Sequence, residues 1–171
     1  RYHRDNMGGN GVLFFGPKDN CQSPVGHFVA NFWTATQKGF GAIQKEAEDK
    51  MRQLEEDGIF GDSIYKYNFY RAVSIVSEGI IHWSERYGAE CERLAEKETN
   101  PERKAELLRM ADTLNWIMKN PCRNFHDAVQ CIYLYQLSMC MDGQQHGISY
   151  GRVDQYLGSF YEDDIAAGRI T

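Results

Sequence analysis

From Asn124 to Met141 the chain leaves itself almost no polar surface. Ala128, Val129, Ile132, Tyr133, Tyr135, Leu137, Met139 and Met141 fall on every side of a helical wheel, with Gln136 among the few polar interruptions. A helix apolar all round is stable only under cover from other elements. The segment therefore reads as a core helix, capped by Asn124 and buried nearly all round, and the rest of the chain has to supply layers around it. It ends at Asp142-Gly143 in a polar loop, Gly143 to Gly151, that holds Gln144, Gln145, His146 and Ser149. A glycine-punctuated polar loop between two apolar helices is where a helical scaffold presents groups to a ligand.

The covering layers are also legible. Asn31 or Thr34 caps a helix running to Glu56, with Phe40, Ile43, Ala47, Met51 and Leu54 at helical spacing and Asp57-Gly58 as its stop. A longer helix starts at Asp62 or Ser63. Its apolar face is Ile64, Tyr67, Ala72, Ile75, Val76, Gly79, Ile80, Trp83 and Tyr87. The stretch Val73 to Ile81 is apolar on most sides, which predicts burial, while the charged stretch beyond Trp83 is expected to project into water. Asn100-Pro101 restarts a helix to about Lys119, with Leu107, Leu108, Ala111, Leu114 and Ile117 or Met118 inside. Asn120-Pro121 stops it. A last helix spans about Arg152 to Ala167, with Val153, Tyr156, Leu157, Phe160, Tyr161 and Ile165 on one side. Val12 to Phe15, a short apolar run between glycines, reads as a buried strand. The fold class is mainly α, with about five helices and one or two short strands.

Composition excludes several classes. Hydrophobic residues at 42% and aromatics at 13% rule against disorder. A net charge of −5 with no basic stripe rules against nucleic acid. No apolar run approaches the roughly 18 residues of a membrane helix. Cys21, Cys91, Cys122, Cys131 and Cys140, odd in number and irregular in spacing, fit buried or surface thiols in a reducing compartment, so the cytoplasm is expected. Both ends read as cut, and a fragment is expected.

Few constellations carry chemistry. No metalloprotease, phosphate-loop, nucleophile-elbow or dinucleotide motif occurs, and the five histidines are too dispersed for a sequence-local metal site. Asp163-Asp164 reads as ordinary helix surface, and His82 and His126 as structural. Gly143, Gly147 and Gly151 permit close backbone approach in the central loop. Arg152 and Asp154, two apart at a helix start, are expected not to pair across one face but each to hold a neighbouring element.

The phrases HGISYGRVDQYL and FYEDDIAAGRIT resemble the glycyl radical enzymes, the superfamily of pyruvate formate-lyase, in its dehydratase and lyase branch. ERYGAECERLAEKETNPERKAELLRMA and NPCRNFHDAVQCIYLYQL extend the resemblance upstream, and GHFVANFWTATQKGFGAI continues it more weakly. The resemblance implies an α/β barrel of ten strands wrapped in helices, with residues 1–171 part of its N-terminal domain, truncated at both ends. It implies a glycyl radical, installed by an S-adenosylmethionine iron–sulfur activase, that generates a thiyl radical on a cysteine. This sequence holds neither a Gly-Cys-Val-Glu-like loop nor an Arg-Val-x-Gly-Tyr-like loop.

In glycerol dehydratase-like relatives a His-Ser pair and an upstream Gly-His line the pocket, and the positions that match are His146, Gly147 and His27. Gly147 departs from the serine, which removes a hydroxyl and enlarges the space. Ser149, Arg152 and Asp154 would brace the wall. The implied activity is that of a lyase or dehydratase on a small polar metabolite in an anaerobic cytoplasm. The implied assembly is a homodimer served by the radical activase, with no cofactor or metal bound directly, no nucleic acid and no membrane. Two other readings stay open: formate C-acetyltransferase chemistry, which the resemblance to the same superfamily also implies, and a non-catalytic helical interaction domain.

Overall fold

Capping and punctuation set the elements as expected. In the computed structural model residues 29–143 and 148–171 are described, and these form α1 (Phe32–Asp57), α2 (Ser63–Lys97), α3 (Pro101–Ile117), α4 (Phe125–Gly143) and α5 (Val153–Ala166). The Asn31 side chain accepts from the Thr34 N–H at 3.1 Å. Asn100 Oδ1 accepts from the N–H groups of Glu102 and Arg103, and Asn124 Oδ1 from Asp127 N–H at 2.8 Å. Each cap satisfies donors that the first helical turn leaves open. The described residues contain no strand, only an isolated parallel bridge between Val29 and Ser149. The strand expected at Val12 to Phe15 lies outside the described residues.

The chain divides into two units, one of residues 1–30 with 136–151 and one of residues 31–135 with 152–171. The second holds the described core. Its centre is Ile117, Met118, Ala128 and Cys131, none more than 1% exposed, packed with Ala35, Phe40, Leu114 and Leu134. Tyr135 makes edge-to-face contacts with Phe32 and Phe40 at ring separations of 5.4 and 5.1 Å, and Tyr156 of α5 stacks on Phe32 at 6.1 Å.

A break in α1 at Gly39, where φ is 75° and ψ 161°, locks that core together. The break frees backbone groups that an unbroken helix would have used. Phe40 N–H donates to Met118 O at 2.8 Å, Gly41 N–H to Lys119 O at 3.1 Å, and Cys122 N–H to Thr36 O at 2.9 Å. Open amides of the restarted half of α1 thus meet open carbonyls at the end of α3. Both sets of orphan groups, and the two opposed helix dipoles, are satisfied in one place.

Two burial expectations are corrected. In α4, Ala128, Cys131, Ile132 and Leu134 are buried, but Val129 is 45% and Tyr133 57% exposed. The helix is covered on one face rather than nearly all round. In α2 the buried positions are Ser77, Ile81, Ser84, Gly88, Cys91 and Ala95, mostly in the half expected to project into water, while Val76 is 58% exposed. Side-chain size explains this choice. Small residues let α3 approach so closely that Ser84 Oγ donates to Leu114 O at 2.6 Å. A Cβ on Gly88 would stand 2.1 Å from Asn115 Oδ1. Within α5, Tyr156 is buried but Val153, Tyr161 and Ile165 are exposed.

Candidate functional site

Three expected pocket residues, His27, His146 and Gly147, lie outside the described residues. Their immediate neighbours are described. Val29 and Ser149 form the parallel bridge. Ser149 Oγ accepts from Gly151 N–H at 3.1 Å, a short serine turn that fixes the exit from the loop. Gly151 has φ +67°, and a Cβ there would press to 2.9 Å from Val29 Cγ1. Glycine is required twice over, by the backbone angle and by the neighbour. Gly151→Ala is expected to lower stability by about 1–2 kcal/mol. Combining it with Val29→Ala, which removes the obstructing methyl, should recover the steric part in thermal unfolding. No recovery would mean that the backbone angle carries the whole effect.

Arg152 and Asp154 are corrected. They pair with each other, Nη2 to Oδ2 at 3.0 Å and Nε to Oδ1 at 3.4 Å. Arg152 stands at the N-cap position of α5 with non-helical angles, so helical spacing does not govern where its side chain goes. Asp154, in the first turn, also faces the positive end of the helix dipole. Its hydrogen bond from the Arg152 guanidinium holds the carboxyl below its ordinary value, and the same bond raises Arg152. Both side chains are exposed, so the pair adds little to stability.

Two anchors were not legible as such. Asp164, read as surface, is 3% exposed. Its carboxylate accepts from Phe125 N–H at 3.1 Å, at the start of α4, and from Arg169 Nε at 2.7 Å. Asp127, 1% exposed, accepts from Arg123 Nε at 2.7 Å and from Thr113 Oγ1 at 3.3 Å. Arg123 also binds Asp112 at 2.7 Å and lies 5.0 Å over the Trp116 ring. Hydrogen bonds to Asp127 and then Asp112 push the guanidinium above its ordinary value. The spacing Asn124-x-x-Asp127 is a capping-box signal that could have found the second anchor. Nothing in sequence distinguishes Asp164 from Asp163.

Gln136 on α4 donates through Nε2 to Cys140 Sγ at 3.6 Å. Its Oε1 is buried with no hydrogen-bond partner among the described residues. Cys91, Cys122 and Cys131 are buried free thiols and Cys140 is half-buried, as expected; Cys21 lies outside the described residues. A hydrogen bond with Cys131 and burial push the Cys122 thiol well up, which keeps it protonated and unreactive. Among the described residues no three His, Cys, Asp or Glu side chains gather as a metal site, and no helix is long and apolar enough to cross a membrane.

The model of the family described as "Pyruvate formate lyase-like" matches residues 13–171. The chain belongs to that family. It is 39% identical over 146 residues to isethionate sulfite-lyase of Nitratidesulfovibrio vulgaris, a match covering 84% of this chain and 17% of that protein. The chain thus spans about one sixth of the length of that curated relative. Among solved structures it matches a glycyl radical enzyme from Archaeoglobus fulgidus with TM-score 0.80 and 37% identity, over 85% of this chain and 18% of that one. It also matches the glycerol-bound B12-independent glycerol dehydratase from Clostridium butyricum, with TM-score 0.78 and 28% identity, over 86% of this chain and 18% of that one. The resemblance read from HGISYGRVDQYL is borne out at the level of the family, whose members matched here include a sulfite-lyase and a glycerol dehydratase.

Proposed function

We propose that these 171 residues are a pocket-wall portion of an anaerobic glycyl radical lyase or dehydratase acting on a small polar metabolite. They would belong to the N-terminal domain of a longer polypeptide that supplies the thiyl cysteine and the radical glycine. The observation that carries this reading is the family match over residues 13–171, joined to relatives of which the match covers only 17%. In this reading the Val29–Ser149 bridge is a rung of the ten-stranded barrel. The radical is installed by an S-adenosylmethionine iron–sulfur activase, and the enzyme works as a cytoplasmic homodimer.

His27, His146 and Gly147 are the proposed pocket residues. His27 and Gly147 each stand two residues ahead of a bridge partner, Val29 and Ser149 respectively. Ser149 and Gly151 fix the described end of the loop that follows Gly147 in the sequence. A histidine donates to a substrate oxygen or moves a proton near neutral pH, which suits a polar leaving group. Glycine at 147 leaves room for a head group bulkier than a hydroxyl. With the identity to isethionate sulfite-lyase, this favours a hydroxyalkyl sulfonate, cleaved at carbon–sulfur, as the substrate class.

Reading the coding frame on both sides of these residues tests the whole, because the two radical loops have to be found there. With the activated enzyme in hand, sulfite release from a hydroxyalkyl sulfonate is the expected activity. His146→Ala is expected to reduce it about 100-fold or more while the glycyl radical signal in electron paramagnetic resonance stays intact. A fully active variant removes His146 from the pocket.

A further inference from the structure

The outer face of α2 carries a second apolar stripe that nothing among the described residues covers. Tyr65, Phe69, Ala72, Val76 and Gly79 follow one another at alternating steps of four and three residues. Tyr65 is 77% and Phe69 63% exposed, Ala72 and Gly79 are exposed with them, and Ile75 beside the stripe is exposed too. The inward stripe of the same helix, Ser77, Ile81, Ser84, Gly88, Cys91 and Ala95, has the same spacing and is fully engaged. Four-three spacing is the pattern with which one helix receives another at a shallow crossing angle. The alternation of large Phe69 and Val76 with small Ala72 and Gly79 supplies knobs beside hollows. At Gly79 an added Cβ would meet nothing within 4 Å, so the space over it is open to an incoming backbone.

The flanks say what kind of partner it is. Solvent-exposed helix pairs carry charges beside the seam. Here Val73, Ile75 and Ile80 occupy three of those positions and Lys66 and Asn68 the other two, with the exposed Arg71 and Glu78 one place further out. A face this broad and this poor in charge suits permanent burial in a layered fold rather than a reversible encounter. The solved relatives keep the same fold over about one fifth of their length, and the rest of such a polypeptide is the available cover.

We propose that this stripe is the seat of a helix from the same polypeptide outside these 171 residues. The inference rests on the longer-polypeptide reading above.

The test uses the complete enzyme. Gly79→Ala on an uncovered helix would raise the melting temperature by under about 1 °C in a polypeptide this long, because alanine is the better helix former. Under a packed helix it is expected to lower it, and Gly79→Leu to lower it further. Val76→Cys in the native enzyme is expected to resist maleimide and to react fully once the enzyme is unfolded in denaturant. A photo-crosslinking phenylalanine analogue placed at Phe69 should join a peptide from elsewhere in the same polypeptide. A raised melting temperature with free labelling of Val76→Cys overturns the proposal. So does protection that vanishes on dilution to monomers, or a cross-link to a second copy or to residues 1–28. Frame length and the radical signal are read independently of these variants, so failure here leaves the enzyme reading standing.

Discussion

Gly39→Ala is expected to lower the stability of the complete polypeptide by roughly 3 kcal/mol or more, which is large for one methyl group. Two costs add. Alanine at φ 75° and ψ 161° occupies a region that L-residues rarely adopt. Its Cβ would also stand 2.6 Å from Lys119 O and from the Asn120 carbonyl carbon, which are backbone atoms that no rotamer change can move. Relief requires separating α1 from the end of α3, and that breaks the bonds from Phe40 to Met118 and from Cys122 to Thr36. Gly58→Ala is the control. Its φ is 88°, but the added Cβ would meet only the Phe60 ring at 3.4 Å. About 1 kcal/mol is expected there, from backbone strain alone. Equal losses for the two variants in thermal or denaturant unfolding would mean that the α1–α3 junction yields easily, and the close approach would then be incidental.

Gly39 also marks where the sequence ran out as a guide. The helix over residues 32–57 was visible in Phe40, Ile43, Ala47 and Met51, and its stop in Asp57-Gly58. The break was not visible, because a glycine inside a helical pattern looks the same whether it is helical like Gly79 or left-handed like Gly39. Only the neighbouring chain end decides. The same limit explains α2. Its strongest apolar stripe, through Phe69 and Val76, is the exposed one, and the buried seam runs through Ser77, Ser84 and Gly88. Hydrophobicity identifies faces that need cover, whereas close helix packing selects for smallness. Arg152 and Asp154 were misjudged because helical spacing was applied to a residue that caps the helix from outside it. The proposed pocket histidines rest only on the likeness of HGISYGRVDQYL and GHFVANFWTATQKGFGAI to a family, since no local sequence signal distinguishes His146 from His82 or His126.

The second large effect is expected at Asp127. Asp127→Ala should lower stability by about 2–4 kcal/mol, the range for removing one partner of a buried ion pair, discounted because Arg123 is 34% exposed. The carboxylate accepts from Arg123 Nε, from the Arg123 backbone N–H and from Thr113 Oγ1. Alanine would leave a buried hydroxyl and a backbone amide unmatched, and the guanidinium with only the exposed Asp112. Asp127→Asn keeps one acceptor and the size of the side chain, so it should lose less than alanine does. Arg123→Met keeps an apolar stem over Trp116 but strands the buried Asp127 carboxylate, and a loss of similar size is expected. The decisive variant is the double one, Arg123→Met with Asp127→Leu, which removes both charges together. If the network acts as a unit, its loss falls at least about 1 kcal/mol short of the summed single losses. Additive losses would instead assign the effect of each residue to its own contacts, and the turn from α3 into α4 would then be held mainly by the Asn124 cap and the α1 junction.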